Sequence, residues 1–443
     1  MNTPDVKIIT GIRRSGKSKL LSAFADYIRS SDPSANVIEI DLTKLRFEKL
    51  KEYHSLNEYV EGMYKEGVVN YLMIDEVQMC KGFELVVNSL HSEEKFDIYL
   101  TGSNAFLLSS DLATLFTGRH IVIHVFPLSF KEYCTYFDIA VDDDIQTAFT
   151  NYIQVGGMSG SYPYSRQADR AKYIRDVYET ILIRDLVEKY RLGNATMMKR
   201  LSHYLMDNIS NVSSSRNICN ELAKDGMTAN HTTVGNYIEY LCNAFVFYEA
   251  KRYDVKGKTY LQSLNKYYIA DTGMRFAELG KRNMDWGRML ENIVFIELLR
   301  RGYEVYVGKL YQKEIDFVAM KGSDKLYIQV SDDIAGETTF KREVAPLLQI
   351  RDAYPKLLLA RTRNEETDYE GVRIVDIPRW LMELSQSEAG FGAFVEDEVQ
   401  NAQAGDEGLA LDLPILLRRR SIGRNVPQVR GVGRERVASL RQP

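Results

Sequence analysis

One octapeptide constrains this chain more than any other feature. Gly11-Ile12-Arg13-Arg14-Ser15-Gly16-Lys17-Ser18 fits the pattern G-x-x-x-x-G-K-[ST]. It follows the β-branched run VKIIT and opens the stretch KSKLLSAFADYIRS, whose leucines and aromatics recur at helical spacing. Strand, glycine loop and helix in that order make a cradle for an anion. Small residues let successive backbone N–H groups curl around a phosphate. The helix that follows points its positive end at the same place. Lys17 is placed for the β- and γ-phosphates of ATP, and the Ser18 hydroxyl for Mg²⁺. Gly11, Arg13, Arg14, Ser15, Gly16, Lys17 and Ser18 are the candidate nucleotide-binding residues. The bland alternative is a glycine turn ahead of an ordinary helix.

A second signal is independent of the first. VVNYLMIDEVQ sets the apolar Tyr71-Leu72-Met73-Ile74 directly before Asp75-Glu76. A buried parallel strand that ends in two acids suits the metal side of a nucleotide site. Asp75 would hold Mg²⁺ with Ser18, and Glu76 would orient and deprotonate the attacking water. A third apolar strand, FDIYL, ends in Thr101-Gly102-Ser103-Asn104. Asn104 is the candidate that touches the γ-phosphate or the water, with Ser103 next. A helix N-cap at Ser103 is the competing reading. Thr117-Gly118-Arg119 is a turn before a fifth strand, HIVIHV. Arg119 is a candidate for stabilising transferring charge, in its own site or in that of a neighbouring subunit. A surface arginine is the plain alternative.

Further along, residues 135–207 read as a helical lid or connector. Ile174, Val177, Tyr178, Ile181, Leu182 and Leu186 repeat at three-to-four spacing. Arg175 and Arg184 would approach the nucleotide if this region packs on the first. Residues 208–262 read as a winged helix, with SSSRNICNELAKDG as one helix, a second from Thr232, and a hairpin wing. The second helix has no lysine or arginine between Thr232 and Cys242, and the basic residues are on the wing at Lys251, Arg252, Lys256 and Lys258. DNA contact and a protein-contact or structural role both remain open there. In 263–384, Glu291 on a helix, Asp316 on a strand and Gln329 on the next strand follow the layout of restriction-endonuclease-like folds, a doubtful second metal site. The lysine that layout places two residues after Gln329 is Ser331 here, and Lys325 is the only nearby substitute on that strand. Without that cation a bound water lacks its activator, so nuclease activity is not expected.

GIRRSGKS, YLMIDEVQ, YLTGSN and FTGRHIVIHVFPLSFKEY together resemble the AAA-type P-loop ATPases of bacteria and archaea that carry a DUF4143-like carboxyl-terminal domain. The likeness continues through GGM (156–158), ILIRDLVEKY, YYIADTGMR and GRMLENIVFIELLRRGYEVYVG, and spans roughly residues 5–384. It implies that Lys17, Ser18, Asp75 and Glu76 are nucleotide-site residues. It also implies a sheet ordered 5-1-4-3-2, and a short helical segment ahead of the first strand, which here begins almost at Met1. The expected architecture is α/β: an AAA-type sandwich (1–134), helical connector (135–207), winged helix (208–262) and restriction-endonuclease-like α/β domain (263–384).

Composition excludes little and locates much. A net charge of −4 with 27% charged residues does not advertise binding of nucleic acid by the whole surface. No apolar run is long enough to span a bilayer, and MNTPDVK is not a secretory signal. Cys80, Cys134, Cys219 and Cys242 show no C-x-x-C spacing, which reads as reduced, cytoplasmic thiols. Residues 385–443 contain no lysine or tyrosine and run from acidic to arginine-rich. They read as a disordered extension or a shifted reading frame, with a basic arm for nucleic acid as the alternative. The expected activity is Mg²⁺-dependent ATP hydrolysis that drives a switch in the later domains. An ATP-gated DNA-processing factor or nuclease and a non-hydrolysing nucleotide-binding scaffold are the alternatives. A protein partner and a homo-oligomer are compatible with all three.

Overall fold

Five short apolar runs assemble into one parallel sheet. They are β1 (Val6–Thr10), β2 (Asn36–Asp41), β3 (Asn70–Asp75), β4 (Asp97–Thr101) and β5 (His120–His124), in the order β5-β1-β4-β3-β2. This is the order the family resemblance implies: β4 separates the loop-bearing strand from the acidic one. The computed structural model describes residues 3–102, 116, 119–140, 144–224, 226, 230–281 and 285–383. Ser103, Asn104 and the tail from 385 onward lie outside the described residues. Helices α1 (Lys17–Ser31), α2 (Tyr53–Gly62) and α3 (Phe83–Ser92) cover the sheet. Ile9, Leu21, Ala25, Ile28, Met73 and Tyr99 fill one face, and Ile8, Ile40, Leu72, Val87 and Leu100 the other. Burial on both faces is why β1, β3 and β4 read as continuous apolar runs, whereas β2 alternates and β5 is largely exposed.

Helix α4 (Phe130–Tyr136) crosses the expected boundary at 134. It starts at a reciprocal capping box, in which Ser129 Oγ accepts from Glu132 N–H and the Glu132 carboxylate from Ser129 N–H. Helices α5 (Ile145–Val155) and α6 (Gln167–Thr180) follow, and α6 runs on into a π-wound segment, Ile181–Glu188. Then come α7 (Ala195–Asp207), α8 (Ser215–Lys224) and α9 (His231–Asn243).

The last unit is a mixed eight-stranded sheet. Its strands are β6 (Phe247–Asp254), β7 (Thr259–Ile269), β8 (Glu304–Leu310), β9 (Lys313–Lys321), β10 (Asp324–Ser331), β11 (Lys356–Ala360), β12 (Thr367–Tyr369) and β13 (Val372–Asp376), ordered β12-β13-β11-β10-β9-β8-β6-β7. Helices α10 (Thr272–Leu279), α11 (Trp286–Arg300), α12 (Glu337–Leu348) and α13 (Ile377–Met382) accompany it. The hairpin read from sequence as a wing is β6 and β7. It closes no small domain of its own; β6 pairs in parallel with β8, and β7 is the sheet's edge. A hairpin looks the same in sequence whether it stands alone or joins a distant strand.

The helical region and this sheet share one apolar core that runs from Phe130 and Phe149 through Leu201 and Leu241 to Phe295 and Trp380. The GGM segment explains part of the join. Gly156 takes the left-handed φ of 72°, and a Cβ there would lie 2.1 Å from Asp271 Oδ1. Only glycine admits this approach, and Gly157 N–H then donates to Asp271 Oδ2 at 2.5 Å.

Candidate nucleotide site

The phosphate loop occupies the turn between β1 and α1, at the carboxyl edge of the parallel sheet. Gly11 (φ 142°) lies against β5: a Cβ would meet the Val125 carbonyl at 2.1 Å. Gly16 (φ 107°) caps α1 in left-handed backbone that favours glycine. Lys17 is buried, and its Nζ donates to the carbonyls of Gly11 (2.8 Å) and Ile12 (3.1 Å). Burial brings its ammonium down to about 8, against the opposing pull of Glu76 and Asp75. Ser15 is buried beneath the loop, while Arg14 and Ser18 face solvent.

The acids meet the loop as the two strand ends predict. Ser18 Oγ donates to Asp75 Oδ1 at 3.0 Å. Together they offer a hydroxyl and a carboxylate, the oxygen chemistry that Mg²⁺ takes. Thr101, the last residue of β4, ties the acids together: its hydroxyl donates to Asp75 Oδ1 and accepts from Glu76 N–H at 3.1 Å. Glu76 itself is held at φ 57°, ψ 47°, a conformation that costs a non-glycine residue and collects at functional sites. Gln78 Nε2 donates to its Oε2 at 2.5 Å. Thr101 and Gln78 were not singled out from sequence. The signal for Thr101 was its position: β4 lies between β1 and β3, so its end falls between the loop and the acids.

Two links run from this site into the later regions. Arg13 NH1 contacts both carboxylate oxygens of Asp185, at 3.2 and 3.3 Å, on the π-wound segment. Burial pushes the Asp185 carboxyl up and Arg13 pulls it back. Thr10, just before the loop, has its hydroxyl 3.2 Å from His124 Nδ1, and His124 Nε2 is 2.7 Å from the Tyr248 hydroxyl on β6. Burial, with Lys17 and Arg300 nearby, lowers His124 to about 4, so the ring is neutral at pH 7.

Other candidates lie elsewhere. Val6 pairs with His120 and Thr10 with His124, so exposed Arg119 sits at the amino edge of the sheet, opposite the loop. The structure therefore does not bring it to the nucleotide site of its own chain. Arg175 turns away as well, donating to the Ala277 carbonyl at 2.8 Å. Arg184 is exposed beside Asp185.

The second cluster does form. Asp316 N–H approaches Gln329 Oε1 at 3.4 Å, Gln329 Nε2 donates to Glu343 at 3.1 Å, and Asp316 Oδ2 accepts from Val330 N–H at 2.8 Å. Ser331 bonds only back to the Asp333 carbonyl at 3.1 Å, and Lys325 lies over the rings of Tyr253 and Tyr354 instead. The cation is a residue the sequence reading did not single out, on the strand it took for part of a wing. Lys266 of β7, buried, contacts Glu291 at 2.9 Å and Glu314 at 2.7 Å, and Tyr268 donates to Glu291 at 2.7 Å. No group of His, Cys, Asp and Glu arranged to hold a metal ion occurs among the described residues. Nor is any described helix long and apolar enough to cross a membrane.

Known proteins bear on both halves. Residues 3–134 match the AAA domain family, and residues 146–285 a domain of unknown function (DUF8612). An uncharacterized protein of Haemophilus influenzae is 35% identical over 388 residues, 86% of this chain and 95% of that one. The uncharacterized protein MJ1544 of Methanocaldococcus jannaschii is 28% identical over 76% of this chain and 77% of its own length. Among solved structures, the Walker-type ATPase PABY2304 of Pyrococcus abyssi is similar at 18% identity, over 62% of this chain and 91% of that one, with a TM-score of 0.37. With an AAA domain at its amino end and 35% identity to the Haemophilus protein over most of both chains, the chain belongs to the bacterial and archaeal family that joins an AAA-type P-loop ATPase domain to a carboxyl-terminal domain of unknown function.

Proposed function

We propose that this protein binds and hydrolyses ATP with Mg²⁺, and that the cycle acts as a switch on the helical region and the mixed-sheet domain. The observation that carries this reading is the convergence of Lys17, Ser18, Asp75 and Glu76, from two separate segments, on one edge of the sheet. Lys17 would bind the β- and γ-phosphates. Ser18 and Asp75 would hold Mg²⁺, which neutralises phosphate charge when bound. Glu76, steadied by Gln78, would take the proton of the attacking water. Asn104 remains a candidate contact to the γ-phosphate, and in a homo-oligomer Arg119 would serve a neighbouring copy. The free cysteines suit a reducing, cytoplasmic setting.

The test is Glu76→Gln in the full chain. The amide keeps the shape and loses the base, so ATP should still bind while turnover falls by about 100-fold or more. Hydrolysis at the parent rate would place the base elsewhere. An ATP-gated nuclease or DNA-processing factor ranks lower, because Lys266 already neutralises the carboxylates such a centre would use. A non-hydrolysing scaffold would have no use for a strained, hydrogen-bonded Glu76.

A further inference from the structure

We propose that the Arg13–Asp185 ion pair is a latch that ATP opens, making Asp185 the residue through which the helical region senses the nucleotide. This rests on the ATP reading above and adds its regulation. Arg13 belongs to the phosphate loop, between Ile12 and Arg14, yet its guanidinium faces Asp185 172 residues away in the chain. A guanidinium forks equally well onto a carboxylate or a phosphate, so an arriving triphosphate competes directly with Asp185. Charge favours the phosphate. Lys17 lies within reach of three carboxylates, Asp75, Glu76 and Asp185. Phosphates bound beside Lys17 bring further negative charge next to Asp185, which burial already disfavours as an anion.

The segment that carries Asp185 is built to respond. Ile181–Glu188 is π-wound. Such winding is marginally stable and is concentrated at functional sites. Its inner side chains, Ile181, Leu182 and Leu186, lie in the same apolar cluster as Ile12, the loop residue next to Arg13. That cluster continues through α7 and α9 to the mixed sheet. Release of Asp185 therefore loosens a charged tie between loop and segment while Ile12 keeps the two in contact.

The experiment uses the full chain with Mg²⁺ and a non-hydrolysable ATP analogue. Calorimetry compares wild type, Asp185→Asn, Arg13→Gln and Lys17→Ala, and amide hydrogen exchange follows residues 181–192. A latch predicts that Asp185→Asn binds the analogue roughly three- to tenfold more tightly, the scale of one partly buried ion pair. Arg13→Gln should bind more weakly. In wild type the analogue should speed exchange in 181–192; in Asp185→Asn exchange should be fast with or without it. Equal or weaker binding by Asp185→Asn, or exchange in wild type that ignores the analogue, overturns the latch. If wild type and Lys17→Ala alike fail to bind, the ATP reading itself falls. Melting curves confirm that each variant is folded, and Asp185→Glu should restore the wild-type exchange pattern.

Discussion

Two buried lysines in this molecule have opposite electrostatics. Lys17 is 8% exposed and Lys266 3%. Among the described residues Lys17 hydrogen-bonds only to backbone carbonyls, and burial lowers it to about 8. Lys266 is equally deprived of water, but Glu291, Asp316 and Glu314 surround it and hold it above the ordinary lysine value. The first is a positive charge without a countercharge in contact, which is what a phosphate site requires. The second has its countercharges built in, so no external ion is needed to complete it. One residue type, at two sheet edges, makes a binding site in one place and a closed structural cluster in the other.

The largest consequence is in stability. Lys266→Met leaves Glu291 and Asp316, with partly exposed Glu314 beside them, without a cation, and should cost about 3–5 kcal/mol. Lys17→Met removes a desolvated, unpaired charge and should cost little or even stabilise. Urea unfolding of both variants gives the two numbers on one scale. Equal losses would mean that Lys17 is as well paired as Lys266.

For ligand binding the ranking inverts. Lys17→Ala should weaken Mg-ATP binding by about 100-fold, close to 2.7 kcal/mol. Lys266→Met, at temperatures where it stays folded, should leave ATP affinity unchanged. Calorimetry decides, and unchanged affinity in Lys17→Ala would remove the phosphate assignment.

The difference between the two centres also explains what could be read in advance. The loop, the acids of β3 and the strands themselves were legible because each is a local pattern: a spacing, a strand ending in two carboxylates, a run of apolar residues; the strand order came only from the family resemblance. Asp185 was not, since within ILIRDLVEKY it looks like any acid on a helix and its partner is far away in sequence. Lys266 was missed for a related reason. The nuclease-like layout directs attention to the position after Gln329, and Ser331 there reads as a loss. The replacement arrives from β7 through sheet pairing, which no short window reports. The wing was misread likewise, because docking of β6 on β8 joins segments about fifty residues apart.

A pH series sharpens the contrast further. Lys17 is depressed below its unfolded value of about 10.4. The free protein therefore loses that proton above pH 8, while bound phosphate would restore it. ATP affinity should be flat below about pH 8 and fall by up to tenfold per pH unit above it. Folding stability should move the other way: a lowered folded pKa means the unfolded chain binds more protons between about 8 and 10.4, so this lysine's penalty fades as pH rises. Lys17→Met should abolish both trends. Calorimetry in buffers of different ionisation heat should show proton uptake on binding at pH 9, and no uptake would mean that Lys17 does not touch the phosphates.

The smallest effect tests whether Lys266 has two carboxylate partners or three. Glu291 and Glu314 touch its ammonium, whereas Asp316 acts only through space. Burial first, and Glu291 second, push the Asp316 carboxyl well above the usual range, while Lys266 opposes them. That direction favours the protonated acid, and its Oδ2 accepts the Val330 N–H at 2.8 Å. An asparagine carbonyl can accept the same bond, so Asp316→Asn should change stability by less than about 1 kcal/mol near pH 4, where the unfolded aspartate is largely protonated as well. The sign is fixed by linkage. An acid raised on folding contributes fully below its unfolded pKa of about 3.9 and loses that contribution as pH climbs toward the folded value. Asparagine has no such loss, so the variant should gain on wild type steadily from about pH 4 upward. Melting temperatures of both proteins across pH 5–8 would show the curves drawing apart in that direction. A loss on the scale of Lys266→Met would instead make Asp316 an ionised third partner, and the cluster would then carry more negative charge than its single lysine can balance.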